Sequence, residues 1–255
     1  MKLARVAYSG GIHEAVPHAE GLRLADGRVV KESEVVWLPP FEVGTIIALG
    51  LNYADHLKEL SKELTVSAKD EPLVFLKSRG SLIGHRGQTR RPAGVSFMHY
   101  ECELAVIIGK TAKNVKRAQA MDHVAGYTVC NDYAIRDYLE NWYRPNLRVK
   151  NRDGATVLGP WFVPASELAD PHALTLRTLV NGRVTQQGNT SNMVNDIPAL
   201  IEYLSGFMTL QSGDVILTGT PEGVVNVSEG DEVVTEIEGI GRLVNDIVGD
   251  AVFGR

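Results

Sequence analysis

The feature that most constrains this chain is the spacing of its apolar residues. They fall in short runs rich in Val, Ile, Leu and aromatic residues, each bounded by glycine or polar punctuation, which is the pattern of strands. Such runs occur at Thr45–Leu49, Leu73–Leu76, Glu101–Ile108, Gly126–Asn131 and Leu174–Asn181, the last leading into an Asn181-Gly182 turn. Ser212–Thr220 reads as a strand and loop, and Glu232–Ile237 with Arg242–Val248 as a closing hairpin. Helical spacing occurs in three places. Asn52–Leu64 carries Tyr53, Leu57, Leu60 and Leu64 in register; Ala134–Trp142 stops before Pro145; Ile197–Leu210 sets Leu200, Ile201, Leu204 and Phe207 on one face. Strands outnumber helices and do not alternate with them, which excludes a doubly wound parallel sheet and predicts a β-rich α+β fold. At the start, Gly10-Gly11 and the Asp26-Gly27 hairpin signal precede Pro39-Pro40. Residues 1–40 are therefore expected to form a small N-terminal β subdomain, and residues 41–255 the main domain.

Hydrophobic residues make up 44% of the 255 and charged residues 22%, a balance that buries a core and excludes disorder. The net charge of -5, with no basic block, argues against nucleic acid or an anionic membrane as partner, although a local basic pocket can still hold an anion. Cys102 and Cys130 are too few for a disulfide framework or a cysteine zinc site and fit a reducing compartment. No signal-peptide pattern opens the chain and no apolar run reaches membrane-spanning length, so a cytoplasmic location is expected. Walker, GxSxG and HExxH motifs are absent.

The strongest chemical signal is His99-Tyr100-Glu101-Cys102-Glu103-Leu104-Ala105-Val106. Side chains alternate along a strand, so Glu101 and Glu103 share a face, roughly 6.6–7 Å apart. Read with the apolar Val106 and Ile108, that face turns inward, and two inward carboxylates call for a hard divalent cation between them. The competing reading is a solvent-facing strand edge. Asp132, at the end of an apolar strand, either lines the same pocket or caps the helix expected at Ala134. His56 and Glu59 stand three apart on one helical face; they are either a general acid–base pair or part of a charged solvent face with Lys58, Lys62 and Glu63. Surface exposure is the default for Lys77 and Lys150.

Six ordered segments resemble the fumarylacetoacetate hydrolase superfamily, from about Ile46 to Val248. They are Gly50–Glu59, Leu73–Gly84, Tyr100–Gly109, Ala125–Asp137, Lys150–Pro160 and Ile216–Gly223. The resemblance implies a mixed β-sandwich or roll with a few flanking helices, and usually a homodimer. It implies Mg²⁺ or Mn²⁺ at Glu101, Glu103 and Asp132, and a catalytic dyad at His56 and Glu59. It places Lys150, Arg136 and Thr220 at the carboxylate and oxo end of a small 2-oxo dicarboxylate or tricarboxylate substrate. Lys77, with Arg136, is a further candidate for anion binding, and Arg144, Arg148 and Arg152 are candidates for the substrate's remote carboxylates. Ala134–Gly154, Gln186–Thr190 and Asp196–Leu210 resemble the isomerase/decarboxylase branch of homoprotocatechuate catabolism more closely. Ala134 and Leu139 replace a Ser and a Gln common in the wider family, and Cys102 a Val or Ala. The first two remove polar groups from the pocket edge and count against a simple acylpyruvate hydrolase, which is the alternative enzyme reading. A cation-binding interaction module is the non-enzymatic one.

Overall fold

A computed structural model describes residues 1–55, 71–139 and 146–253. A seven-stranded sheet organises it, in the order Leu73–Lys77, Ile46–Gly50, Val215–Leu217, Cys102–Ile108, Val124–Asp132, Thr156–Pro164 and Leu82–Ile83. Ile46–Gly50 runs parallel to Val215–Leu217, and Leu82–Ile83 parallel to Thr156–Pro164; the other pairings are antiparallel. The two edge strands are consecutive in the chain, joined through the short 3₁₀ turn Arg79–Ser81. Tying the edges together this closely rolls the twisted sheet into a half-barrel.

The roll buries both faces of its central strands, which is why Cys102–Ile108 is buried at every position and reads as an unbroken run. Inside lie Ile46, Ala48, Phe75, Ala105, Cys130, Leu158, Val215 and Leu217. On the outside, Leu104, Val106, Ile108 and Val129 join the main core with Leu176, Val233, Leu243 and Ile247 of a second sheet. That sheet has the order Arg183–Asn189, Thr175–Val180, Glu232–Ile237, Gly241–Val248, Gly87–Arg90. The expected turn at Asn181-Gly182 forms with φ of 50° and 77°, and the expected closing hairpin pairs Glu232 with Asp246.

The helix Ile197–Phe207 starts where Asp196 accepts a hydrogen bond from the Ala199 amide (2.9 Å). Leu200, Ile201 and Leu204 face the core as expected, but Phe207 is 61% exposed. The helix ends there, and buried Leu210 instead bridges to Ala112. The helix expected over Ala134–Trp142 is corrected through Leu139. Ala134–Ile135 pairs with Met98–His99, and a 3₁₀ turn, Arg136–Tyr138, follows. The Asp137 carboxylate accepts from the amides of Ser96 (2.9 Å) and Phe97 (2.8 Å), which ties the segment to that strand. The helix expected over Asn52–Leu64 is helical at Ala54 and Asp55; residues 56–64 lie outside the described part.

A third sheet, Val29–Val30, Gly21–Leu24, Gly11–His18, Ala4–Tyr8 and Val36–Leu38, is wholly antiparallel and packs around Val6, Leu22, Leu24 and Trp37. It docks on the roll through Trp37, edge-on to Trp161 at 5.4 Å. Gly84 permits this approach: a Cβ there would lie 2.2 Å from the Trp37 carbonyl oxygen. Gly84→Ala is therefore expected to destabilise the protein by roughly 1–3 kcal/mol, the usual cost of overpacking, read as a lower urea midpoint.

Candidate metal centre

The acidic residues meet because two neighbouring strands run out at the same mouth of the roll. Glu103 lies opposite Cys130, and the Asp132 amide donates to the Glu101 carbonyl (2.9 Å). Carboxylate oxygens of Glu101, Glu103 and Asp132 come within 4.8 Å of one another, all buried. Alternation places Ala105, and not Val106 and Ile108 as the sequence reading had it, on the glutamates' face; those two face the main core on the other side. The face turns inward because the sheet rolls.

Lys77 and Lys150 are not surface lysines. Both are buried, 4% and 5% exposed. The Lys150 ammonium donates to Asp132 (2.9 Å) and to Glu101, and that of Lys77 donates to Asp132 and to the Lys150 carbonyl. Asp132 therefore lines the pocket, and its alternative role as a helix cap falls with the helix. Burial alone would lower the Lys150 pKa, but Asp132, Glu101 and Glu103 overcome it and raise it. Burial would likewise raise Glu101, yet the Lys150 ammonium beside it holds it at about 2.

Glu103 is the exception. One oxygen accepts from the Gly219 amide (2.7 Å), while Oε1 is buried with no hydrogen-bond partner among the described residues. Burial, then Asp132 and Glu101, push its carboxyl well above the usual range. An orphaned oxygen aimed among clustered carboxylates fits a hard divalent cation, which takes oxygen ligands and would supply the charge that the lysines give to Asp132 and Glu101 but not to Glu103.

Thr220 is buried and follows Gly219, whose amide binds Glu103; its hydroxyl oxygen accepts from Gln186 Nε2 (2.9 Å), which leaves its own hydrogen to donate. Gln186 is in turn held by Thr178 and the Pro221 carbonyl. Arg136 is half-buried, and its Nε donates to His99 Nε2 (2.7 Å). Arg148 and Arg152 converge on the Tyr138 ring, 4.1 and 5.6 Å from its centroid, beside a cavity of about 590 Å³ that also contacts Gln88 and Asn151. None of the three carboxylates lines that cavity. His56, Glu59 and Arg144 lie outside the described residues. Sequence reasoning assigned no role to His99 or Gln186. For His99 a signal existed, since strand alternation carries the glutamates' face back to it. Gln186 reaches the site from another sheet, which local spacing cannot show.

This fold and this acidic cluster define a class. Residues 45–248 match the model of the fumarylacetoacetate (FAA) hydrolase C-terminal family, and the chain belongs to that family. It is 56% identical over 236 residues to the 4-hydroxyphenylacetate degradation bifunctional isomerase/decarboxylase of Salmonella dublin, covering 90% of this chain and 54% of that one. The chain thus spans about half the length of the curated relatives it matches most strongly. Among solved structures it is similar to 5-carboxymethyl-2-hydroxymuconate delta-isomerase from Mycobacterium smegmatis (TM-score 0.83, 37% identity, 98% and 99% coverage). It is also similar to maleylpyruvate hydrolase from Sphingobium sp. SYK-6 in complex with manganese(II) ion and pyruvate (TM-score 0.82, 28% identity, 98% and 99% coverage). No helix among the described residues is long and apolar enough to cross a membrane.

The raised Glu103 carboxyl gives a prediction with a definite sign. A group whose pKa is raised by folding stabilises the fold while protonated, and that contribution is lost as pH rises through its folded value. The metal-free protein should lose stability as pH rises from the ordinary carboxylate range, and added Mg²⁺ should restore it, in thermal unfolding. Glu103→Gln should flatten that pH dependence and abolish the Mg²⁺ rescue.

Proposed function

We propose that this chain is a divalent-metal-dependent decarboxylase and isomerase of 2-oxo acids in 4-hydroxyphenylacetate catabolism. Its substrates would be 5-carboxymethyl-2-oxo-hex-3-ene-1,7-dioate, which loses CO2, and 2-hydroxyhepta-2,4-diene-1,7-dioate, which is isomerised. One observation carries the reading. A buried carboxylate cluster with an orphaned oxygen is bordered in the chain by cationic groups, Arg136, Arg148, Lys150 and Arg152. That arrangement suits a cation and a substrate with several carboxylates. The 56% identity to the Salmonella dublin enzyme supports it.

Mg²⁺ or Mn²⁺ held by Glu101, Glu103 and Asp132 would supply Lewis-acid polarisation of the 2-oxo acid. The chain's own residues supply the rest. Lys150 is fixed by its bonds to Glu101 and Asp132, so its charge is positioned before substrate arrives. Lys77 locks Asp132 and the Lys150 backbone together. Arg136 would grip a substrate carboxylate and Thr220 donate its hydroxyl hydrogen to a substrate oxygen. As CO2 leaves, the electron pair of the broken C–C bond moves into the conjugated 2-oxo system, and negative charge grows on the C2 oxygen. His56 and Glu59 would deliver a proton to carbon, and for the isomerisation the same pair would take the proton from the C2 hydroxyl and return one to C5, as the double bonds shift to the 2-oxo-3-ene. Arg152 and Arg148 would hold remote carboxylates.

An ultraviolet assay with 5-carboxymethyl-2-oxo-hex-3-ene-1,7-dioate should show metal-dependent loss of substrate with release of CO2, stopped by EDTA. Lys150→Met should lower kcat by about 10²-fold or more, as for removal of one preorganised electrostatic partner. Cleavage of fumarylpyruvate or acetylpyruvate, with the tricarboxylate untouched, would replace this reading with C–C bond hydrolysis.

A further inference from the structure

His99 is fully buried and takes no part in the reaction outlined above. It stands at the end of the Met98–His99 strand, paired with Ala134, and Arg136 follows two residues beyond that partner. The pairing brings the imidazole against the guanidinium. Arg136 Nε donates to His99 Nε2 at 2.7 Å, and His99 Nδ1 lies 3.0 Å from the Tyr100 carbonyl oxygen and 3.6 Å from Glu101 Oε1. A ring nitrogen that accepts from arginine must carry a lone pair, so the imidazole is neutral with its hydrogen on Nδ1, the side that faces two oxygens.

The consequence lies in which guanidinium edge is used. Arginine offers five N–H groups in a planar fork. His99 takes the one on Nε, and no described residue accepts a hydrogen bond from the four on the terminal nitrogens of Arg136. The remaining end of the fork is the edge that grips a carboxylate through two parallel bonds. The backbone beneath is held as well. The Arg136 amide donates to the Phe97 carbonyl (2.9 Å), and the Asp137 carboxylate accepts from the amides of Ser96 and Phe97. Asn226 clasps the same strand from the other side, accepting from the Met98 amide (3.0 Å) and donating to the Ser96 carbonyl (3.1 Å).

We propose that His99 is a positioning residue, which holds the Nε edge of Arg136 so that the terminal fork is presented, already oriented, to a substrate carboxylate. This rests on the substrate-binding role proposed for Arg136. Preorganisation of this kind saves the entropy of immobilising a long side chain when the ligand arrives. A Leu at position 99 fills similar space with no acceptor, whereas a Gln can offer its amide oxygen near the position of Nε2.

The test uses the Mg²⁺-loaded protein and begins with a readout that needs no turnover. The Arg136 Nε–H resonance, identified by its loss in Arg136→Lys, should exchange slowly with water in the parent and in His99→Gln, and quickly in His99→Leu. Affinity for oxalate, measured by calorimetry, should fall about tenfold in His99→Leu, the lower end for a charge-assisted hydrogen bond, and recover in His99→Gln. With a turned-over substrate the loss should appear in KM more than in kcat. Mg²⁺ affinity should not change. A rapidly exchanging Nε–H in the parent would overturn the proposal, as would equal oxalate affinity in the parent and His99→Leu. A loss of Mg²⁺ affinity that tracks the loss of oxalate affinity would assign His99 to Glu101 instead and overturn it too. If the Nε–H signature holds while the tricarboxylate is not turned over by any form, the proposed reaction fails and the positioning role stands.

Discussion

The structure depends on keeping three carboxylates and two ammonium groups dry at one end of a rolled sheet. Each ion costs several kcal/mol to bury, and the cost is offset only where partners are near and geometry is good. Here the partners come from distant parts of the chain: Lys77 from an edge strand, Glu101 and Glu103 from the middle of the sheet, Asp132 from the next strand, Lys150 from a short helix. The roll is what brings them together. A flat sheet of the same order would leave Lys77 at its edge, four strands from the Asp132 that it pairs with. The electrostatics and the topology therefore imply one another.

The charges do not close evenly, and that imbalance is informative. Asp132 receives both lysines and Glu101 receives one, while Glu103 receives a backbone amide and nothing charged. A cluster built for stability alone would gain by replacing Glu103 with an apolar group of similar shape. Retaining a buried carboxylate with an unpartnered oxygen makes sense where a cation completes the set, and the same logic accounts for why its carboxyl is pushed up without one.

Much of the fold was legible because strand residues announce themselves locally. The Asp26-Gly27 and Asn181-Gly182 turns, the Glu232–Ile237 hairpin and the apolar run from Cys102 all follow from spacing within a dozen residues. The misreadings share one cause. Ala134–Leu139 has helical spacing, but Asp137 finds backbone donors on Ser96 and Phe97, so tertiary hydrogen bonds override local preference. Lys77 and Lys150 looked like surface residues since nothing near them in the chain reveals a carboxylate across the roll. The glutamate pair was visible as a pair, but its inward direction came from curvature and not from Val106 and Ile108.

The arrangement also separates a rigid part from an adaptable one. Glu101, Glu103 and Asp132 sit on the sheet, where backbone pairing fixes them within a rigid frame suited to holding an ion. Arg136, Arg148 and Arg152 sit on short turns and a single-turn helix, and they are partly exposed or stacked on Tyr138. Substitutions on those turns leave the paired strands that carry the carboxylates in place. Leu139 ends the turn Arg136–Tyr138 and falls on the adaptable part, whereas Ala134 is buried on a paired strand. His99 lies at the seam. It is on the glutamates' face by alternation and against the arginine by strand pairing, so it couples the rigid part to the adaptable one.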